Sequence, residues 1–369
     1  MKAKLKSTLL LSVLVMLAGC STKTSESENR QSNESSKPTE SSKENEEAKP
    51  TENGEKSIVN VYMPSPAGLQ SAIEAGFEKA YSNIDMVVTS GTTGELLAKI
   101  EAEKSNPVCD VLILASWSDG INALTNLDLT VYTPKDADKL NSAFVESSHR
   151  IYGTSASAVG VLYNTDLVNK AEIEALDWAD FGKAARWNMK NHPTSIPDPT
   201  KSGAAKDFFA GFVTHSDETA NWAILDSWVS NGITNGGGNK PALAAVENGS
   251  IDALIAGVDY NAYADKQKGK KIDIYFPKSG TVVNARPAMI MASGAHQEQA
   301  KKVMDYLITP EAQGFVADAY LIPGRDDIAT SSLRLGLSQI NQFSNLNWNT
   351  MASKGTEVAT TLVGKIANK

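Results

Sequence analysis

Short apolar runs alternate with amphipathic segments along the chain from about residue 57. Five such elements precede residue 115, namely strands at 58–63, 86–88 and 111–114 and helices at 69–81 and 95–104. In the first helix, Leu69, Ile73 and Phe77 fall on one face. Apolar strands separated by amphipathic helices are typical of a mainly parallel sheet that helices cover on both faces. The pattern therefore predicts an α/β fold whose strand-to-helix loops meet along one sheet edge.

The loops predicted at that edge are rich in hydroxyl groups and small residues. Each of the loops 63–66, 89–94 and 115–118 precedes a helix, and segments 195–205 and 255–260 repeat the arrangement. Free backbone N–H groups and hydroxyls at a helix start suit an anion, although the same residues also serve as plain helix caps. We expect ligand contacts from Ser65, Thr92, Thr93, Ser116, Trp117, Asp198, Thr200, Ser202, Gly203, Asp259 and Tyr260.

Two extended runs, 156–164 and 281–291, are candidates for strands that cross between two lobes. Such a hinge creates a ligand cleft between the lobes. Arg286 lies in the second run and suits a phosphate or phosphonate group that accepts two parallel hydrogen bonds, while a salt bridge at the hinge is its alternative role. We predict an N-terminal lobe from 57–155 and 282–369 and a C-terminal lobe from 156–281. Apolar residues at helical spacing, such as Leu333 and Phe343, predict terminal helices over about 331–369.

The first 20 residues have the pattern of a processing segment, with three lysines, an apolar run at 9–17 and small residues before Cys20. That run is about half of the roughly 20 residues that span a bilayer. Leu17–Cys20 resembles the bacterial lipobox, with an ordinary secretory peptide as the alternative. Residues 21–56 carry no aliphatic or aromatic side chain larger than alanine. We therefore predict a signal peptide at 1–19 and a lipidated, disordered tether at 20–56 on the extracytoplasmic face of the cell membrane.

Composition and missing motifs exclude several functions. The net charge of −8 argues against nucleic-acid binding. Cys20 and Cys109 are the two cysteines, so lipidation of Cys20 leaves no internal disulfide, and Cys109 before an apolar strand suits a buried hydrophobe. The nucleophile elbow, the zinc motif His-Glu-x-x-His, the phosphate loop and Cys-x-x-Cys do not occur in the sequence. We therefore expect no catalysis and no cofactor.

The order of these motifs resembles the bacterial extracellular solute-binding proteins of ABC importers, specifically the branch for ferric ion and organophosphates. Residues 91–107 with the strand from 110 look like that family's second loop and helix, and 159–164, 197–203 and 309–313 match in place. The resemblance covers about residues 57–330. It implies a two-lobed type II periplasmic-binding-protein fold that closes around a small molecule and docks on permease subunits. We expect a monomer.

Two positions bear on the ligand. Ferric-binding members carry two adjacent tyrosines where this chain has Asp259 and Tyr260, and the first loop offers Ser65 in place of an iron-binding histidine. The hydroxyls, the helix starts and Arg286 suit an organophosphate or phosphonate, with Asp259 receiving a sugar hydroxyl or an ammonium group, or capping its own helix. Ferric iron held by Tyr260 and Asp259 is the alternative. A ligand-sensing subunit of a membrane receptor kinase is the alternative of a different class.

Overall fold

A computed structural model describes residues 56–369, so the predicted signal peptide, Cys20 and the tether lie outside the described residues. The strands are β1 (Ser57–Met63), β2 (Ile84–Ser90), β3 (Val111–Ile113), β4 (Tyr152–Asn164), β5 (Thr194–Ile196), β6 (Thr234–Asn235), β7 (Ala253–Val258), β8 (Ile272–Tyr275), β9 (Val283–Ile290) and β10 (Ile322–Pro323). The helices are α1 (Ala67–Ala80), α2 (Thr93–Ala102), α3 (Trp117–Asn126), α4 (Lys170–Ile173), α5 (Gly203–Thr214), α6 (Glu218–Asn231), α7 (Asn239–Glu247), α8 (Asp259–Gln267), α9 (Gln297–Leu307), α10 (Pro310–Asp318) and α11 (Trp348–Ala367). Within residues 56–369, no helix combines the length and the apolar character needed to cross a membrane.

The strands form two sheets that share β4. The first has the order β2-β1-β3-β9-β4 with β10 also on β4, and the second has the order β4-β7-β5-β6 with β8 also on β4. Strands β1 to β3 are parallel to one another, as are β5 to β7, while β4 and β9 pair antiparallel with their neighbours. The predicted parallel pattern therefore holds for the strand–helix units, and the crossing strands add the antiparallel pairs.

Strand β4 runs without a break through both sheets, and all thirteen of its residues are buried. Its first half, Tyr152 to Ala158, pairs with β9, and its second half, from Val159, pairs with β7 and β8. The chain returns from β8 to β9 through 276–282, where the Thr281 hydroxyl donates to the Val159 carbonyl. Each sheet with its helices is a lobe, joined at these crossings. The residue boundaries given above for the lobes stay a prediction.

The segment between β10 and α11 differs from the sequence expectation. The predicted terminal helices are wrong for residues 331–347, which contain one short 3-10 turn, whereas the terminal α-helix begins at Trp348. Ile340 and Phe343 are buried, but Leu333 lies exposed, so the apolar residues do not share one covered face. A buried polar residue, Arg334, anchors the segment instead. Helix α11 packs against both α3 and α5, one from each lobe.

Candidate functional site

The floor of the candidate site consists of polar side chains on the crossing strands β4 and β9. Ser157 of β4 lies directly opposite Asn284 of β9, and Arg286 follows two residues later on the same face. All three are at most 1% exposed. Among the described residues, Ser157 Oγ, Asn284 Oδ1 and Arg286 Nε have no hydrogen-bond partner. Since buried polar atoms are nearly always paired, this group indicates a place for a polar ligand.

Arg286 is a buried cation with few partners. Its Nη2 donates to the carbonyl of Pro64 at 2.6 Å, and its guanidinium carbon lies 5.8 Å from the centre of the Tyr260 ring. Burial lowers the pKa of Arg286, and the neighbouring Tyr260 and the more weakly acting carboxylate of Asp259 oppose this effect. Asp259 is itself paired with Arg334. A buried charge without a counter-ion is costly, and a bound anion would supply one.

Two helix starts lie next to this floor. Helix α5 begins at the cap residue Ser202, whose Oγ accepts from the Ala205 amide, and Asn284 Nδ2 donates to the Ala204 carbonyl at 3.4 Å. Helix α8 begins at Asp259 and brings Tyr260 to Arg286. The N-terminal end of a helix carries a partial positive charge and free N–H groups, so both starts add to the attraction for an anion.

The start of α5 packs directly on the starts of α2 and α3. A Cβ atom on Gly203 would lie 2.8 Å from the Cβ of Ser116 and 3.0 Å from the Oγ1 of Thr93, so the close approach requires glycine here. Three of the predicted contact residues, one from each helix start, are thus brought together. Trp117, beside them, is buried in the apolar core of its lobe.

Several predicted contacts serve as helix caps or loop anchors in this structure. Thr92 forms a capping box with Glu95, and Ser116 Oγ accepts from the Asp119 amide at 3.0 Å. Ser65 lies half-buried after β1, where its carbonyl accepts from the Gln70 side chain at 2.8 Å. Their role as ligand contacts stays a prediction.

Asp198 is held inside its own loop. One of its carboxylate oxygens accepts from the amide and hydroxyl of Thr200 at 2.9 and 2.6 Å, and the other accepts from Asn235 Nδ2 at 3.1 Å. Burial acts to raise the pKa of Asp198, but these hydrogen bonds together lower it below its ordinary value. Asp198 is therefore ionised at neutral pH, and its place as a ligand contact stays a prediction.

Asp259 has neither oxygen free for a ligand in this structure. Its Oδ2 accepts from Arg334 Nη2 at 2.7 Å, its Oδ1 accepts from the Tyr260 amide at 2.7 Å, and the side chains of the ion pair are fully buried. Its expected contact with a sugar hydroxyl or an ammonium group stays a prediction, and each oxygen already accepts one hydrogen bond. Asp259 does not cap its helix, because the cap position is Val258.

Sequence reasoning missed Ser157, Asn284 and Arg334. The first two carried a signal, because 155 and 157 in one strand and 284 and 286 in the other are polar positions at a spacing of two in otherwise apolar runs. That spacing places them on one sheet face. The sequence held no comparable signal for Arg334, since its partner Asp259 lies 75 residues away in a different element.

The described residues offer little to ferric iron. In residues 56–369, no group of three or more His, Cys, Asp or Glu side chains is placed to hold a metal ion. The guanidinium carbon of Arg286 lies 5.8 Å from the centre of the Tyr260 ring, and its positive charge repels a cation. The four histidines contact other groups: His149 contacts Tyr152, His192 contacts Asp252, His215 stacks on Phe343, and His296 contacts Asp110.

Comparison with known proteins matches the chain to one family and to several solved structures. The model of one family, described as bacterial extracellular solute-binding protein, matches residues 60–314. A relative named Iron uptake protein A1, from Synechocystis sp. (strain ATCC 27184 / PCC 6803 / Kazusa), is 23% identical over 280 residues, which cover 72% of this chain and 74% of the relative.

Two solved structures show the same architecture. The periplasmic binding protein AfuA from Actinobacillus pleuropneumoniae, with fructose-6-phosphate bound, has a TM-score of 0.74 and 19% identity, over 85% of this chain and 100% of that chain. Iron-bound HitA from Pseudomonas aeruginosa has a TM-score of 0.70 and 17% identity, over 83% of this chain and 99% of that chain. The predicted two-lobed type II periplasmic-binding-protein fold is confirmed.

Proposed function

Because the chain belongs to the family of bacterial extracellular solute-binding proteins, we propose that it captures a small organophosphate or phosphonate in the cleft between its lobes. The family acts as the solute-binding component of ABC importers, outside the cytoplasm. The observation that carries the choice of ligand is Arg286, which is buried without an anionic partner of its own and has an unpaired Nε atom among the described residues. A phosphoryl group supplies both the charge and the acceptor atoms that this guanidinium lacks.

The neighbouring groups define what else the ligand carries. Ser157 offers a hydroxyl and the start of α5 offers N–H groups to the anion. Asn284 Oδ1 is an unpaired acceptor among the described residues, so it favours a ligand that also has a hydroxyl or ammonium donor. Hexose phosphates and aminoalkylphosphonates have both features, and AfuA was solved with fructose-6-phosphate. We keep Ser65, Thr92, Thr93, Ser116, Trp117, Asp198, Thr200, Ser202, Gly203 and Tyr260 as proposed cleft contacts.

Ferric iron is the second candidate, favoured by the phenol of Tyr260 beside the cleft and by two iron-related neighbours, Iron uptake protein A1 and iron-bound HitA. Beside Arg286, the ion would need additional oxygen ligands from a bound anion. The two candidates therefore predict different results for an organophosphate added without iron. Only the first candidate predicts that it binds.

A thermal-shift screen of the purified full-length chain separates them. We expect fructose 6-phosphate or aminoethylphosphonate to raise the melting temperature, because a ligand of the folded state stabilises it by about 2.7 kcal/mol at a hundred times Kd. Inorganic phosphate tests the anion alone, and fructose is the matched control without charge. A shift with ferric citrate together with a visible charge-transfer band, and none with either organophosphate, would contradict the proposal.

We also propose that Cys20 carries lipid that anchors the protein outside the cell membrane, that the protein is a monomer and that it catalyses no reaction.

Cys20→Ser should move the protein from the membrane fraction to the medium, because stable attachment needs more than one acyl chain. Cys109→Ser is the control, since that thiol is buried and donates to the Val111 carbonyl. Fractionation and the mass of the N-terminal peptide measure the result. Retention of Cys20→Ser in washed membranes would refute the anchor.

A further inference from the structure

A buried polar cluster joins the two lobes where α3 meets α5. We call it the α3–α5 cluster, and it consists of Ser116, Ser118 and Asp119 from the N-terminal lobe and Lys206 and Asp207 from the C-terminal lobe. Asp207 accepts from Ser116 Oγ at 3.0 Å, from the Ser118 amide at 3.4 Å and from the Ser118 hydroxyl. Lys206 forms an ion pair with Asp119. Every one of these contacts connects one lobe to the other.

The cluster has more negative than positive groups. It holds two carboxylates and one ammonium, and Asp119 Oδ2 has no hydrogen-bond partner among the described residues. Asp207 is 0% exposed and Asp119 is 6% exposed, so an uncompensated negative charge here would be costly. A proton on Asp207 would remove it.

The charged groups that act on Asp207 are Asp119 and Lys206, both within the cluster. Helix α11 packs on α5, and a Cβ atom placed on its Gly355 would lie 3.5 Å from the Cγ of Lys206. Helix α6 presents Trp228 to the aromatic residues of α5, and β7 is a fully buried apolar strand. Burial and the charge of Asp119 together raise the pKa of Asp207 from 3.8 to about 7, against the opposing effects of Lys206 and the two serine hydroxyls.

We propose that the α3–α5 cluster is a proton-dependent tie between the lobes, with Asp207 as a positioning residue that holds the first turn of α5 against the N-terminal lobe. That turn carries Ser202 and Gly203, so the tie sets where α5 presents its N–H groups to the cleft. A proton from solvent binds Asp207 as the contact forms and returns to solvent as it separates. The tie requires no particular ligand and goes beyond the proposed function.

The direction of the pH effect follows from the two states of Asp207. In the joined state the pKa of Asp207 is raised to about 7, and in a separated, hydrated state we expect it to return to the ordinary value of 3.8. The joined state therefore binds the proton more tightly, so it is most favoured below pH 3.8 and loses this advantage as the pH rises to about 7. Between pH 8 and pH 6, the ratio of joined to separated states should increase by about tenfold.

Hydrogen–deuterium exchange of the full-length, ligand-free chain tests the tie. Amides in peptides 115–120 and 202–208 should be about tenfold more protected at pH 6 than at pH 8, after correction for intrinsic exchange rates. Asp207→Asn keeps a hydrogen-bonding side chain of the same shape and should remove this pH dependence. Asp110→Asn is the matched control, because Asp110 is equally buried but contacts Asn60 and His296 within the N-terminal lobe.

A second variant keeps the test decisive if Asp207→Asn does not fold. Ser118→Ala removes a hydroxyl donor that favours the ionised carboxylate of Asp207, so it should lower the protection of both peptides most at pH 8, with the protection of α1 unchanged. Equal protection of the native chain at pH 6 and pH 8 would overturn the proposal, as would the same pH response in native protein and Asp207→Asn. Because no ligand is added, these outcomes are independent of which solute the cleft binds.

Discussion

Replacing Arg286 by methionine should strongly weaken the binding of an organophosphate and at the same time make the ligand-free protein more stable. The guanidinium is buried, its Nε is unpaired among the described residues, and its Nη2 donates to the carbonyl of Pro64 and not to a carboxylate. A methionine of similar length removes the cost of burying the charge, which is worth about 1–4 kcal/mol where an apolar side chain fits. Binding should weaken by about 2–5 kcal/mol, the range for removing one partner of a buried charged pair. Titration calorimetry with fructose 6-phosphate and urea unfolding measure the two effects.

Arg325 provides the matched control, because it is a buried arginine that already has an anionic partner. Its Nε and Nη2 each donate to Asp327 at 2.7 Å, and its Nη1 donates to the Ile308 carbonyl at 3.0 Å. Arg325→Met should therefore lose stability and keep the native affinity, the opposite pattern to Arg286→Met. If Arg286→Met is instead destabilised and binds as tightly as the native chain, Arg286 is a structural residue of the hinge and the proposed site is wrong.

Arg286 and Arg325 show which features of a binding site can be predicted from a sequence and which cannot. Arg286 interrupts an apolar strand that is predicted to cross between lobes, and periodicity alone supports its assignment to the site. Its lack of an acidic partner depends on which side chains the fold brings near it. The pairing of Ser157 with Asn284 likewise requires the register of β4 on β9, which local sequence does not encode because the two residues lie far apart along the chain.

Helix starts pose a different problem, because capping and anion binding use the same residue types. Thr92, Ser116 and Ser202 each accept a hydrogen bond from their own helix. In sequence, nothing separates a hydroxyl that is occupied by a cap from one that is free for a ligand. The structure adds that the starts of α2 and α3, which follow strands of one sheet, pack on the start of α5, which follows a strand of the other sheet.

The wrong prediction of a helix over residues 331–347 has a physical cause. Ile340 and Phe343 are buried separately along an irregular segment, and their spacing resembles that of an amphipathic helix. The residue that fixes the segment is polar, and apolar periodicity does not detect it. Arg334 donates to Asp259 and also to the Tyr320 carbonyl at 2.6 Å, so one side chain ties the segment to the start of α8.

Removing this anchor should cause a large loss of stability. Arg334→Leu leaves Asp259 buried without its counter-ion, which costs about 3–5 kcal/mol for a buried pair that loses one partner. Urea unfolding measures the effect. Arg186→Leu is the control, because Arg186 is half-exposed and lies 3.7 Å from Asp180, so its loss should cost at most about 1 kcal/mol.

The double variant Arg334→Leu with Asp259→Leu distinguishes loss of a charge partner from loss of packing. If the unpaired carboxylate causes the damage, removing it as well should recover most of the lost free energy of unfolding, since an apolar pair replaces a buried ionic one at little cost. If packing of the segment is what matters, the double variant should be at least as unstable as Arg334→Leu. Because Tyr260 follows Asp259 and faces Arg286, the single variant should also weaken fructose 6-phosphate binding, and the double variant should restore it only if α8 returns to its place.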